Sequence, residues 1–154
     1  MFFPDMPLAA KEMVRVLKPG GRMATSLWNV PDKNFWVTAV MSTITKNMQL
    51  PPPPPGAPGM FRCAKSGFIA DLFRQAGLKN ISETEVNGKL NSGTTDVYWN
   101  MITEVGATVV AALSKADDSL KAKIKSEVYE LVNQKYPDGK IAIESNALVI
   151  YGEK

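Results

Sequence analysis

Apolar residues recur at helical spacing in several stretches of this chain, and the residues that follow each stretch are ones that stop a helix. Ala10, Met13, Val14 and Leu17 fall at i, i+3, i+4 and i+7, the stripe of a helix packed on something larger. Asp5 can cap its start, Pro7 sits in the first turn where a missing N–H costs nothing, and Lys18 suits the far end of the helix dipole. Pro19 disfavours helix at Lys18, and Gly20-Gly21 supply the positive φ values of a tight reversal. Residues 23–28 have the length and composition of a strand, so helix, reversal and strand form half of a β-α-β crossover. The strand on the other side of that helix should precede Asp5, where only Met1, Phe2, Phe3 and Pro4 stand. Either the chain starts inside a fold or the helix packs on a partner.

Further along, Phe35–Met48 offers a helix with Val37, Val40, Met41 and Ile44 on one face and Trp36 as core. Pro51, Pro52, Pro53, Pro54 and Pro55 should form a stiff polyproline II rod, read as a rigid surface connection or a ligand for a proline-recognising domain. The loop after it, with Gly59, Met60, Phe61 and Arg62, is a candidate lid over a pocket. Ser66 can cap the next helix, whose stripe is Ile69, Leu72, Phe73 and Ala76, and Gly77 is placed to end it in a left-handed conformation. Residues 81–90 read as a polar strand near a sheet edge. A helical insertion over 91–136 follows, with Tyr98, Met101, Ile102, Val105, Val109, Val110 and Leu113 apolar, then a helix over 117–136 with Leu120, Ile124, Val128, Leu131 and Val132 as its seam. Residues 141–151 make a long strand whose alternation is interrupted at Glu144 to Asn146, where a bulge would fit.

Composition narrows the chemistry. A chain of 154 residues with 45% hydrophobic content can bury one respectable core. The net charge of +3 is small and its basic residues are dispersed, which reads as a solvated surface and speaks against nucleic-acid partners. No apolar run is long enough to cross a bilayer, and no secretory signal precedes the fold, so a cytoplasmic location is expected. The absence of histidine removes Ser-His-Asp triads and the commonest metal ligand, so no metal site is expected. Cys63, the single cysteine, reads as a buried inert thiol more readily than as a nucleophile.

The stretch "MFFPDMPLAAKEMVRVLKPGGRMATSLWNVP" resembles the second half of class I S-adenosylmethionine-dependent methyltransferases, in the subset related to the ubiquinone and menaquinone C-methyltransferases. "SGFIADLFRQAGLKNI", "DVYWNMITEV" and "YPDGKIAIESNALVIYGEK" continue the likeness to the end of the chain. The resemblance implies an α/β fold: the C-terminal part of a Rossmann-like methyltransferase sheet, strands five, seven and six of seven in the order 3-2-1-4-5-7-6, the last strand of the chain antiparallel, with flanking helices and the insertion. Residues 1–154 would then be one partial domain without the glycine-rich loop and acidic residue that hold S-adenosylmethionine. Gly20-Gly21 follow a helix and make no cofactor cradle. A lone fragment is therefore expected to be inactive, and to self-associate as a homo-oligomer along strand five or to need a partner supplying the front half. The alternative is a non-catalytic binding or oligomerisation module that retains the scaffold.

Ligands of open α/β sheets bind at the carboxyl ends of strands, which brings Trp28 and Asn29 to the site. The resemblance adds Phe61, Arg62, Tyr98 and Trp99 as walls of a pocket for a modest apolar or aromatic acceptor. Core packing is the competing reading for each aromatic, and a surface ion pair for Arg62. Glu104 is read as a surface helix position. No catalytic residue is assigned.

Overall fold

The computed structural model describes all of residues 1–154. It is an α/β arrangement in which three strands form one sheet in the order β1-β3-β2, with β1 at Arg22–Trp28, β2 at Lys79–Gly93 and β3 at Ile141–Glu153. The strand late in the chain thus lies between the two earlier ones, the order and antiparallel sense expected for strands five, seven and six. β1 pairs antiparallel with β3 from Arg22 opposite Glu153 to Trp28 opposite Ala147. Between β2 and β3 the side-chain bonds Asn80 to Glu153, Asn87 to Asn146 and Ser92 to Ile141 also run antiparallel. The chain divides into two compact units, unit 1 (Met1–Lys33, Pro53–Asn87, Asn146–Lys154) and unit 2 (Asn34–Pro52, Gly88–Ser145).

In unit 1, helix α1 spans Met6–Arg15, capped by Asp5, whose Oδ1 accepts from the Leu8 N–H at 2.9 Å. Met6, Ala10 and Val14 are its buried face, with Met13 and Leu17 partly buried beside them. The helix stops at Arg15, three residues before Lys18, because Pro19, four residues on, has no N–H to offer the Arg15 carbonyl. The Lys154 ammonium donates to the Arg15 and Leu17 carbonyls at 3.0 and 2.8 Å, a cation at the negative end of the dipole. Only one of the two turn glycines needs a positive φ. Gly20 has φ +71°, whereas Gly21 is required for space, since a Cβ there would lie 2.8 Å from the Lys18 carbonyl oxygen.

Helix α2 (Phe35–Met48) belongs to unit 2; the next helix of unit 1 is α3, Phe68–Gln75. Ser66 does not cap α3. Gly67 occupies the cap position at φ +79°, and Glu83 from β2 does the capping, accepting the Gly67 N–H at 3.1 Å and the Ser66 hydroxyl at 2.6 Å. A carboxylate at a helix N-terminus satisfies orphan N–H groups and matches the dipole, so it displaces a weaker neutral hydroxyl. The other end closes as expected: the Gly77 N–H reaches Arg74 and the Leu78 N–H reaches Phe73, with Gly77 at φ +102°. Ile69, Leu72 and Phe73 join Leu27, Leu148 and Ile150 in the core of this unit.

In unit 2, α2 is followed by α4 (Thr95–Val105), α5 (Ala107–Leu113) and α6 (Asp118–Lys135). The apolar run from Tyr98 to Leu113 is two helices rather than one, broken at Gly106, where a Cβ would fall 2.5 Å from the Ile102 carbonyl oxygen. Val40, Ile44, Ile102, Val109, Ile124 and Val128 are fully buried. Leu131, assigned to the seam of α6, is exposed instead. Trp36 is half-buried, its Nε1 donating to Asn34 Oδ1 at 3.2 Å.

β3 carries no inserted residue at Glu144 to Asn146. Its register with β1 is unbroken from Ala147 to Glu153, and the side-chain bonds to β2 keep the same step on either side of those positions. What changes is the phase of burial: Ile141 and Ile143 belong to the core of unit 2, Leu148 and Ile150 to that of unit 1. A strand that serves two cores breaks its alternation without a bulge.

Candidate functional site

The carboxyl end of β1 is where polar side chains converge. The Asn29 N–H makes the last main-chain rung to the Asn146 carbonyl at 3.1 Å. Beside it, Asn29 Nδ2 donates to Asn146 Oδ1 at 2.7 Å and to Glu85 Oε2 at 3.3 Å. Asn146 Nδ2 donates in turn to Glu85 Oε1 at 2.7 Å and Asn87 Oδ1 at 2.6 Å, and Lys33 Nζ reaches Glu85 Oε2 at 2.5 Å. Asn29 and Asn146 are 6% and 4% exposed, so these amides exchange water for one another and for the carboxylate. The Asn29 Oδ1 accepts the Val30 N–H at 2.8 Å, which fixes the chain as it leaves the strand.

Glu85 is exposed, and its carboxyl lies below the ordinary carboxylate value. The hydrogen bond from Lys33 is the largest cause, followed by that from Asn146; desolvation opposes them, and the Lys33 charge and the Asn29 bond add smaller lowering effects. A carboxylate held ionised in this way is a poor general base at neutral pH, because its proton affinity is too low. The junction therefore orders the strand end and presents amide and carboxylate groups; it is not built as an acid-base pair. Sequence reasoning brought Asn29 to this place but missed Glu85, Asn146 and Lys33. Residues up to 117 positions apart meet here, and no local spacing announces that.

The other expected site residues take different places. Trp28 is half-buried at the end of β1. Phe61 is half-buried in the loop. The Arg62 guanidinium donates to the Phe3 and Pro4 carbonyls rather than to a carboxylate, and the Gly59 N–H bonds Met1 O at 3.3 Å, so this loop is tied to the first residues. Tyr98 and Trp99 lie in unit 2 and belong to its core. The Tyr98 hydroxyl donates to the Trp36 carbonyl at 2.6 Å, and burial pushes its pKa upward. Trp99 meets Tyr129 edge-on, with ring centroids 6.2 Å apart. Glu104 is exposed.

A second feature of unit 1 is apolar. A cavity of about 120 Å3 lies among α1, β1 and α3, with Met6, Ala10, Leu27, Cys63, Ile69 and Phe73 in its wall. Phe2, Phe3 and Leu8 stand exposed, with Phe3 at the cavity's edge.

The free edge of β1 is defined by hydrogen-bond phase. Gly21 with Lys154 and Asn29 with Asn146 are bonded pairs, so the odd-numbered positions between them face β3. Arg22, Ala24 and Ser26 thus direct their main-chain N–H and C=O groups away from β3, toward the side of β1 that carries no strand.

The turn glycines offer nothing to a sulfonium nucleoside: the Gly20 N–H is taken by the Lys154 carbonyl and the Gly21 N–H by that of Lys18. The strand-to-helix step from β2 to α4 runs through a single glycine, Gly93 at φ +79°, with Thr94 as the cap, and is not a glycine-rich loop. No group of three histidine, cysteine, aspartate or glutamate side chains is close enough to hold a metal, and no helix is long and apolar enough to cross a membrane.

No family model matches the chain. Among solved structures, it is similar to phosphoethanolamine N-methyltransferase 2 of Haemonchus contortus, a complex with phosphomonomethylethanolamine and S-adenosylhomocysteine, at 12% identity and a TM-score of 0.38. It is also similar to a Bacillus halodurans C-125 protein assigned as a methyltransferase (13%, TM-score 0.43) and to a Galdieria sulphuraria protein assigned as a sarcosine dimethylglycine methyltransferase (17%, TM-score 0.33). The matches cover 99%, 99% and 97% of this chain but only 31%, 59% and 48% of those structures, respectively.

Proposed function

We propose that residues 1–154 are the rear part of an S-adenosylmethionine-dependent methyltransferase domain acting on a small-molecule acceptor, and that they are inactive without a donor-binding front part. The observation that carries this reading is the strand order β1-β3-β2 with β1 unpaired on one side. The resemblance implies that order for strands five, seven and six, and it implies a further strand at the side of β1 that is open here.

The donor, when bound, supplies an activated methyl group; nothing in this chain grips it. The contribution of these residues is to the acceptor side. Trp28 and Asn29 end β1, and the junction with Asn146 and Glu85 holds them in place. Phe61 and Arg62 belong to the loop tied to the first residues. Tyr98 and Trp99 enter the proposal through the resemblance alone. An acceptor of apolar or aromatic character, as the quinone-methylating subset would require, suits the Trp and Phe content, since aromatic faces exclude water and favour a passing cationic centre. A cytoplasmic location belongs to the same proposal.

Arg22, Ala24 and Ser26 favour association along β1, with a front-part polypeptide or a second copy. The same edge supports a second reading, a non-catalytic oligomerisation module. Calorimetry of the full chain with S-adenosylmethionine, alone and with the front part of a related methyltransferase added, separates them. The proposal expects silence from the chain alone and heat of binding from the mixture. Micromolar binding by the chain alone defeats the claim that it lacks a donor site, and silence in both arms favours the module.

A further inference from the structure

We infer that the apolar cavity of unit 1 is a binding site for a compact apolar molecule about the size of one benzene ring. It is separate from the polar junction, and none of Trp28, Asn29, Phe61, Arg62, Tyr98 or Trp99 lines it.

The volume sets the size of the occupant. The cavity is about 120 Å3, and apolar protein cavities of about 150 Å3 stay dry and accept benzene. The lining sets its chemistry. Met6, Ala10, Cys63, Ile69 and Phe73 are buried and present carbon or sulfur, while Thr25 and Ser26 bring the only hydroxyls. Water would have only those two hydroxyls, the fewest partners it needs, whereas an apolar group gains dispersion contacts from the rest of the wall. Three methionines, Met1, Met6 and Met13, share the lining, and their unbranched thioethers adapt to a planar ring. An entry route exists: Phe3 and Ser26, both exposed, belong to the same lining as the buried floor.

The residues themselves provide reporters. Full chain carrying 13C-methyl methionine is titrated with benzene and followed by NMR. Saturable shifts of the Met6 and Met13 methyl signals are expected, with Met41, Met48 and Met101 of unit 2 unmoved. Cys63, 1% exposed, reacts with iodoacetamide only through opening of the cavity wall. At a benzene concentration of about three times its Kd, alkylation slows about fourfold. Ala10→Leu fills the space and abolishes the shifts while circular dichroism stays unchanged; if that variant does not fold, the alkylation rate of the unaltered chain decides. Absence of saturation, shifts spread equally over the unit 2 methionines, or unprotected alkylation each overturn the inference.

Discussion

Asn29 and Asn146 meet amide to amide, 2.7 Å from Nδ2 to Oδ1, beside the last main-chain rung between β1 and β3. Asn146 serves three partners at once, accepting from Asn29 and donating to Glu85 and Asn87. Asn146→Ala removes the shorter of the two bonds from the Asn29 amide, leaving that to Glu85, and takes away two bonds to β2. A loss of about 2 kcal/mol in urea unfolding is expected, with the larger part recovered in Asn146→Asp only if a proton can be shared. A change below about 0.5 kcal/mol would mean that water replaces the side chain without penalty.

Acid should weaken this junction. Glu85 has a folded-state pKa below its ordinary value of 4.5, so its contribution is complete above pH 4.5 and is lost as the pH falls through the depressed folded value. Glu127 behaves alike in unit 2, lowered first by Asn47 and then by Lys46. Thermal melts between pH 6 and pH 3 should show a steeper acid decline for the native chain than for Glu85→Gln. Parallel curves would show that Lys33 and the two asparagines do not favour the ionised carboxylate.

Proline can read the edge of β1. Ser26→Pro removes an N–H that points away from β3, and proline is tolerated on such an edge, so the fold should persist. Thr25→Pro removes a rung to β3 and should cost at least about 2 kcal/mol. If self-association runs along this edge, sedimentation will show Ser26→Pro shifted toward monomer. Equal damage from the two substitutions would refute the assigned hydrogen-bond phase.

The cap of α3 comes from another element. Glu83→Ala should lower stability by about 1 kcal/mol, because the Gly67 N–H loses its acceptor. Gly67→Ala should cost a similar amount, about 1 kcal/mol, for a Cβ at φ +79°. Ser66→Ala, by contrast, should cost less than either if the carboxylate is the cap, and chemical denaturation of the three variants tests the order.

Tyr98→Phe separates packing from ligand contact. Its hydroxyl holds the Trp36 carbonyl, and its loss should cost about 1 to 2 kcal/mol in stability. A variant that keeps full stability yet loses acceptor binding in the reconstituted domain would place this hydroxyl in the site instead.

Hydrophobic spacing by itself determined α2, α3 and α6 nearly to the residue, α1 apart from its last three residues, the two glycine-terminated reversals, and the strands around them. These depend on contacts within a few positions, which sequence encodes directly. Who caps the helices was decided elsewhere: Lys154 takes up the open carbonyls at the end of α1 from the far terminus, and Glu83 caps α3 from β2. The same holds for the break in β3, which has the sequence signature of a bulge and is in fact a strand shared by two cores. Trp28 and Asn29 could be placed at a strand end from their position after the reversal, but the Asn29, Asn146, Glu85 and Lys33 junction could not, since its members touch only after three strands have paired. Local free energies are written along the chain, whereas a buried amide is satisfied by whatever folding brings beside it, and only the tertiary structure decides that.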